Sequence, residues 1–186
     1  MSNKKSTYKL IILDRDGVIN QNETGYIKRV EEWIPIPNSL EAIAKAYKNG
    51  YKFAVATNQS GIARKYYSLA DLSKMHKKMN MLLENLGGKF EYIAYCPHLP
   101  ELKCPCRKPE PGLIKEIHEH TKIPYENIIM IGDRLKDLQA AQSMGADAAL
   151  VLTGQGKQEL IDHPELNNNG TKIYPNLEKC LEDLLY

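Results

Sequence analysis

Short apolar runs that end in polar residues alternate with helical patterns along this chain, and this alternation constrains the fold more than any other feature. Five runs fit buried strands, at residues 8–14, 51–59, 90–96, 127–133 and 147–152. Helical spacing fills residues 38–50, 68–88, 111–121 and 136–146, and a further helix is predicted near 177–184. Strands that alternate with helices predict an α/β fold with a doubly wound, mostly parallel sheet, in which ligands bind beyond the carboxyl ends of the strands.

The length and composition are those of an ordinary globular protein. With 186 residues, 42% hydrophobic and 26% charged, the chain predicts one domain over residues 1–186. A formal net charge of +2 gives no reason to expect nucleic acid as a partner. Asp14 interrupts the N-terminal apolar run, which does not form a signal peptide, and no stretch reaches the roughly 18 apolar residues of a membrane span. We therefore expect a cytoplasmic monomer with reduced thiols that contacts neither nucleic acid nor membrane.

Carboxylates follow two of the expected strands. Asp14 and Asp16 stand two residues apart in "LDRDG", so extended backbone directs both side chains to one side. Asp133 ends another run in "GDRLKD", and Asp137 follows one helical turn later. Converging carboxylates repel one another unless a cation or a shared proton compensates, and oxygen ligands of this kind favour Mg²⁺. Each motif alone also fits a turn cap, but together with Thr57 at a third strand end they predict a metal-assisted site.

Three of the four cysteines stand together in irregular sequence, in "CPHLPELKCPCRKP". Cys96, His98, Cys104 and Cys106 offer three thiolates and one imidazole at a spacing that suits tetrahedral zinc with every position filled, hence a structural site. A C-x-C pair is poorly placed for a mutual disulfide, and three cysteines leave one unpaired. Unligated thiols on a proline-rich loop are the plainer alternative. Cys180 lies on an apolar helical pattern, and we expect it in the core.

Four motifs, in order, resemble those of the haloacid dehalogenase-like (HAD) phosphohydrolase superfamily. An apolar strand leads into "DRDGVIN", a strand ends at Thr57, Lys108 stands in "CRKP", and "GDRLKD" supplies an acidic cluster. The resemblance covers about residues 10–151, most of the chain. It implies a Rossmann-like HAD fold with no large cap domain and with short loop insertions, among them a zinc loop at residues 96–108. It also implies hydrolysis of a phosphate ester with catalytic Mg²⁺.

The superfamily's chemistry, carried onto the matching positions, implies a role for each motif. Asp14 would attack phosphorus and form an aspartyl-phosphate, and Asp16 would protonate the leaving group and then activate water. Thr57 would donate a hydrogen bond to the phosphoryl oxygens, and Lys108 would supply positive charge. The Mg²⁺ ligands would be the Asp14 carboxylate, the backbone carbonyl of Asp16, and Asp133.

The expected zinc loop limits the resemblance to two groups of phosphatases within the superfamily. Phosphatases of this superfamily with such a loop remove the C7 phosphate of heptose 1,7-bisphosphate in the synthesis of ADP-heptose for lipopolysaccharide, or act on histidinol phosphate. "DGVIN", "TNQSGIAR" and "PEPGL" are similar to the heptose enzymes, whereas the short gap "LPELK" is similar to the histidinol group. We expect a phosphorylated sugar as substrate, with histidinol phosphate as the alternative. A non-catalytic zinc-binding module is the alternative of another class, but it leaves both acidic motifs without a role.

The resemblance also places residues around the catalytic groups. Zinc would fix the loop that carries Lys108, and Asp137 would orient Lys108 or metal-bound water rather than bind Mg²⁺. Arg107 would receive the second phosphate, because a guanidinium forks onto phosphate oxygens. Lys65 stands where the family commonly has glycine, which puts the conformation of its loop in doubt. The expected substrate contacts are Asn22, Glu23, Thr24, Gly25, Asn58, Gln59, Ser60, Arg107 and Arg134.

Three histidines lie on helical patterns away from the expected strand ends, and we expect no catalytic role for them. They are His76, His118 and His120.

Overall fold

The computed structural model describes residues 6–22 and 25–186 and contains a six-stranded sheet in which all paired strands are parallel. The strands are β1 (Leu10–Leu13), β2 (Lys52–Asn58), β3 (Tyr92–Cys96), β4 (Ile128–Gly132), β5 (Asp147–Val151) and β6 (Lys172–Tyr174). They lie in the order β3-β2-β1-β4-β5-β6. The predicted doubly wound parallel fold is confirmed.

Helices cover both faces of the sheet. They are α1 (Ser39–Lys48), α2 (Leu69–Asn85), α3 (Gly112–Thr121), α4 (Leu135–Gln142), α5 (Gly156–Asp162) and α6 (Leu177–Leu185). The alternation of side chains along β1 separates two cores, with Ile11 and Leu13 in one cluster and Leu10 and Ile12 in the other. The first cluster includes residues of α1, α2 and α6, and the second includes residues of α3 and α4.

The ends of β1 and β4 flank the point where the order of strand connection reverses. From β1 the chain proceeds outward through β2 to β3, and then crosses to β4 and continues through β5 to β6 on the other side. Leu13 pairs with Val55 on β2 and with Ile131 on β4, so the carboxyl ends of the three strands lie side by side. A crevice at such a switch point is the usual ligand site of an open α/β sheet. Asp14 and Asp133, which directly follow β1 and β4, lie at this crevice.

Residues 20–37 pack against α2 and carry no helix or strand in their described part. Trp33 is fully buried in the first core cluster. The Lys78 ammonium on α2 donates to the carbonyl oxygens of Val30 and Trp33, at 2.9 and 2.7 Å. This irregular segment is therefore held in place by a buried apolar side chain and by a lysine that donates to its backbone.

The C-terminal part contains two elements that the sequence does not predict, α5 and β6. They have seven and three residues, which is too short for helical or strand periodicity to be read from the sequence. The predicted final helix is present as α6, and Cys180 on it is buried, as expected. Within residues 6–22 and 25–186, no helix combines the length and the apolar character that crossing a membrane requires.

Candidate active site

Three buried carboxylates meet at the crevice between β1 and β4. Asp14 follows β1, Asp133 follows β4, and Asp137 lies in the first turn of α4; one oxygen of each lies within 4.8 Å of the others. Gly17 is needed beside them, because its φ of 86° is left-handed and a side chain there would collide with the Asp133 carboxylate. The two acidic motifs of the sequence are thus brought to one place.

The charge of this cluster fits a divalent cation. Burial, followed by the charge of Asp14, raises the pKa of Asp133 to about 8, and burial raises the pKa of Asp14. Asp133 Oδ2 accepts the Gln155 N–H at 2.9 Å, but no donor in the described part of the chain reaches the buried Oδ1. A buried carboxylate oxygen without a donor is costly, and a hard cation such as Mg²⁺ removes that cost. The residues present therefore fit Mg²⁺.

Lys108 is fully buried in the middle of these acids. Its Nζ lies 3.0 Å from Asp14 Oδ1 and 2.7 Å from Asp137 Oδ1, and it donates to the Ala56 carbonyl oxygen at 2.6 Å. Burial alone would lower the pKa of Lys108, but the charges of Asp137 and Asp14 hold it above its ordinary value. Asp137 Oδ2 also accepts the Arg134 N–H at 3.1 Å, at the start of α4. Asp137 therefore joins the helix to the lysine.

The Asn58 side chain holds the backbone of Lys108 from both sides. Asn58 Oδ1 accepts the Lys108 N–H at 3.1 Å, and Asn58 Nδ2 donates to the Lys108 carbonyl oxygen at 3.0 Å. The end of β2 is thereby connected to the loop that follows β3. Asn58, which the sequence places among the substrate contacts, also lines the cavity.

Asp16 is held by three neighbouring side chains. Arg15 donates to both of its carboxylate oxygens, with a closest distance of 2.8 Å, and Asn20 Nδ2 and Gln59 Nε2 donate at 3.0 and 2.8 Å. Burial would raise the pKa of Asp16, but the Arg15 charge and these hydrogen bonds lower it. Arg15 is itself fully buried, so its guanidinium belongs to the site and not to the solvent.

Further hydrogen bonds fix the orientation of the Gln59 side-chain amide. Its Nε2 also donates to Thr57 Oγ1 at 2.9 Å, and its Oε1 accepts from Tyr67 Oη at 2.5 Å and from Arg15 Nη2 at 3.1 Å. Because Thr57 accepts a hydrogen bond from Gln59, its own O–H remains available to donate. The sequence places Gln59 among the substrate contacts and does not single out Arg15 or Tyr67.

Three thiols and one imidazole converge on the loop that leads to Lys108. Cys104 Sγ lies 3.5 Å from Cys96 Sγ and 3.4 Å from Cys106 Sγ. His98 Nδ1 lies 3.3 Å from Cys106 Sγ and 3.6 Å from Cys96 Sγ. A tetrahedron with Zn–S bonds of about 2.3 Å has edges of about 3.8 Å, so these four atoms are spaced nearly as one zinc ion requires. All four cysteines of the chain are free of disulfides.

A cavity of about 340 Å³ opens at Asp14 and Asp16. Lys108 and Asp133 are buried and do not line it, and Glu23 and Thr24 lie outside the described residues. The sequence-predicted residues that line the cavity are Asn22, Gly25, Thr57, Asn58, Gln59, Ser60, Arg107 and Arg134. The lining residues that the sequence does not single out are Tyr26, Ile27, Tyr67 and Lys136. Tyr26 and Ile27 directly follow predicted substrate contacts in the sequence. That position is the sequence feature from which they could have been predicted to line the cavity.

Cations are placed around this cavity on different elements. Arg107 Nη1 donates to the His98 carbonyl oxygen at 3.3 Å, within the cysteine loop. Arg134 Nη1 lies 4.0 Å from Glu159 Oε1. Burial lowers the pKa of the nearby Lys136. The cavity therefore combines carboxylates at its base with positive charge at its walls, which suits a phosphate ester and a metal ion together.

The loop with Lys65 keeps a turn that a glycine would adopt freely. Lys65 has a φ of 59°, in the left-handed region, which costs a non-glycine residue about 1–2 kcal/mol. Gly61 in the same loop lies against the Tyr67 ring, which leaves no room for a side chain there.

Comparison with known proteins agrees with this site. The Hydrolase-like (HAD-hydrolase-like) family model matches residues 105–180. A D-glycero-β-D-manno-heptose-1,7-bisphosphate 7-phosphatase of Pseudomonas putida is 52% identical over 82% of this chain and 87% of its own length. The protein of that name from Pseudomonas aeruginosa is 50% identical over 95% of this chain and 97% of its own.

Solved structures give the same result. The D,D-heptose 1,7-bisphosphate phosphatase of Bordetella bronchiseptica, complexed with magnesium and phosphate, has a TM-score of 0.88 and 40% identity, and covers 95% of this chain and 97% of that one. The corresponding enzyme of Burkholderia thailandensis has a TM-score of 0.70 and 35% identity, with 94% and 97% covered. Fold and site together define a HAD-like phosphatase with no large cap. Within that class, the chain belongs to the family of D-glycero-β-D-manno-heptose-1,7-bisphosphate 7-phosphatases.

Proposed function

We propose that this protein removes the C7 phosphate of D-glycero-β-D-manno-heptose 1,7-bisphosphate by way of an aspartyl-phosphate. The observation that carries the reaction is that Asp14 and Asp16 line one cavity while Asp14 is ion-paired to the buried Lys108 at 3.0 Å. The choice of sugar, including the β anomer, comes from relatives that are 46–52% identical and carry that substrate in their names. We place the reaction in the cytoplasm, in the supply of ADP-heptose for lipopolysaccharide.

The hydrogen bonds of Asp14 indicate which oxygen attacks. Oδ1 accepts the Arg15 N–H at 2.8 Å and lies beside Lys108 Nζ. No donor in the described residues reaches Oδ2, so we assign Oδ2 to the attack on phosphorus. As the bond from Asp14 to phosphorus forms, the bond from phosphorus to the C7 oxygen breaks, and a proton carried by Asp16 passes to the leaving alkoxide. The neighbours of Asp16 lower its pKa in the free protein, so Asp16 takes up this proton when the negatively charged phosphate binds and raises its pKa.

Hydrolysis then restores the enzyme. Asp16 accepts a proton from the attacking water, the acyl-phosphate bond breaks, and inorganic phosphate leaves. Thr57 supports both steps by donating its O–H to a phosphoryl oxygen. Asp14, Asp133 and the Asp16 carbonyl would hold Mg²⁺, which would neutralise charge between the nucleophile and the phosphate.

Zinc has a structural role in this proposal. The ligands would be Cys96, His98, Cys104 and Cys106, whose ligating atoms lie within 4.8 Å of one another. The loop between them and α3 carries Arg107 and Lys108, so zinc would orient one side of the site without a hydrophobic core. Arg107 lines the cavity, and we assign it to the second phosphate of the sugar.

The alternatives are less well supported. The relatives that carry a substrate in their names name the heptose bisphosphate, not histidinol phosphate. A zinc-binding module without catalytic activity would not require the buried charged cluster of Asp14, Lys108 and Asp137.

The test is a side-by-side measurement of kcat/KM with Mg²⁺ for the heptose 1,7-bisphosphate and for histidinol phosphate. We expect a clear preference for the heptose. Asp14→Asn should abolish turnover while near-UV circular dichroism stays that of the wild type. A preference for histidinol phosphate would refute the substrate, and turnover by Asp14→Asn would refute the mechanism.

A further inference from the structure

The ammonium of Lys108 is already surrounded by acceptors. Asp14 Oδ1, Asp137 Oδ1 and the Ala56 carbonyl oxygen lie 3.0, 2.7 and 2.6 Å from Nζ. One of these contacts is a hydrogen bond, to the Ala56 carbonyl oxygen, and the two carboxylates are ion-pair partners. Lys108 can neutralise charge and orient Asp14 from this position. It is buried and does not line the cavity.

Lys136 differs from Lys108 in this respect. It lies in the first turn of α4, is half-buried, and lines the cavity. Among residues 6–22 and 25–186, no carboxylate lies within 4.0 Å of its Nζ and no oxygen accepts a hydrogen bond from it, whereas Arg107 has the His98 carbonyl. A partly desolvated ammonium that faces a cavity without an acceptor is unfavourable until an anion supplies one.

The position of Lys136 favours the reacting end of the cavity. The next residue, Asp137, lies 2.7 Å from Lys108 Nζ, and Lys108 lies 3.0 Å from Asp14. The helix that carries Lys136 begins directly after β4, next to β1, whereas Arg107 belongs to the cysteine loop beyond β3. An anion held over Asp14 is therefore within the region that α4 reaches.

We propose that Lys136 binds the phosphoryl group that is transferred, and that it supplies an ammonium donor from the wall of the cavity, which Lys108 does not line. The proposal rests on the proposed phosphatase function and adds a substrate-contacting residue to it. The proposal gives the two lysines different roles. Lys108 orients the nucleophile from its buried position, and Lys136 donates to the phosphoryl oxygens from the cavity wall.

The experiment measures the binding of inorganic phosphate to the Mg²⁺-loaded protein by isothermal titration calorimetry, which requires no knowledge of the sugar. Lys136→Met removes the donor and keeps the length of the side chain, and Lys136→Arg keeps the charge. The matched control is Lys115→Met, which removes an exposed lysine of α3 whose ammonium has no hydrogen-bond or ion-pair partner among residues 6–22 and 25–186. Thermal denaturation of each variant checks the fold, and Lys136→Gln replaces the methionine variant if the latter is unfolded.

We expect the dissociation constant of phosphate to rise about tenfold or more in Lys136→Met, the loss typical of one charge-assisted hydrogen bond, and to recover in part in Lys136→Arg. Lys115→Met should bind as the wild type does. Phosphate binding unchanged in a folded Lys136→Met or Lys136→Gln would overturn the proposal.

A second measurement identifies which phosphate is bound. Contact with the transferred group predicts that Lys136→Met lowers kcat/KM by the same factor for the heptose 1,7-bisphosphate and for the heptose 7-phosphate. A loss confined to the bisphosphate would place Lys136 at the other phosphate and would also contradict the proposal. If neither sugar is hydrolysed by the wild type, the proposed function fails, while the phosphate titration still decides the role of Lys136.

Discussion

Replacement of Asn58 by alanine should lower turnover through Lys108 and not through the substrate. The Asn58 amide makes two hydrogen bonds to the Lys108 backbone, at 3.1 and 3.0 Å. Two neutral hydrogen bonds contribute about 2 kcal/mol together, and the truncation also leaves a partly buried N–H without an acceptor. For a chain of this size we therefore expect the melting temperature to fall by about 6 °C.

The catalytic effect follows from the position of the ammonium. Lys108 reaches Asp14 through a fully buried side chain, so a shift of its backbone moves Nζ away from the nucleophile. Misplacement of a catalytic group by about 1 Å can cost about 100-fold in rate. We expect Asn58→Ala to lower kcat by about 10- to 100-fold, with a smaller change in KM and with the zinc content unchanged.

Steady-state kinetics, metal analysis and thermal denaturation check this prediction, with Asn49→Ala as the control. Asn49 is exposed and donates to the Lys45 carbonyl oxygen at 2.8 Å, so its loss also removes an amide hydrogen bond, but far from the site. If Asn58→Ala keeps the kcat of the wild type and loses no more stability than Asn49→Ala, the reasoning is wrong and the cysteine loop positions Lys108 by itself. A rise in KM alone would show that Asn58 acts on the substrate.

Two further predictions concern zinc and pH. Cys104→Ser should lose about one zinc per chain, together with turnover or soluble yield, and full zinc content in that variant would remove the ligand assignment. Burial, followed by the Arg15 charge, lowers the pKa of His76 from 6.5 to about 3. The folded protein therefore keeps its full stability above pH 6.5 and loses at most about 2 kcal/mol between pH 7 and 5, as the unfolded chain takes up the proton. Urea unfolding of His76→Gln should lack that loss; equal losses would exclude His76 as the cause.

The sequence predicts the sheet and the acidic cluster because both depend on local patterns. Asp14 and Asp133 each follow an uninterrupted apolar run, and in a parallel sheet the carboxyl ends of neighbouring strands meet at one edge. Because this prediction depends only on where the strands end, it holds although Asp14 and Asp133 are far apart in the sequence. The four candidate zinc ligands could be named for a similar reason, since their spacing falls within one loop.

The support of Asp16 could not be predicted in the same way. Arg15 stands in "DRDG" at a position where the motif accepts any residue, and nothing in the sequence shows that its side chain is fully buried beside Asp16. Tyr67 reaches the site only because its loop folds back so that Oη meets Gln59. The charges of Arg15 and Asp16 also act on the pKa of His76, a residue of α2 for which the sequence predicts no catalytic role. These contacts depend on tertiary packing, which cannot be predicted from the periodicity of the sequence.

The end of β2 connects the two halves of the catalytic apparatus. Successive side chains of extended backbone point in opposite directions, so adjacent residues at a strand end can serve different neighbours. Asn58 binds the backbone of Lys108, while Gln59 binds Asp16 and the hydroxyl of Thr57. A displacement of residues 57–59 therefore moves the Lys108 ammonium, which lies beside Asp14, and the Asp16 carboxylate together. Asn58 and Gln59 have polar atoms committed to the protein, so we expect sugar specificity to depend more on the loops that carry Tyr26 and Arg107.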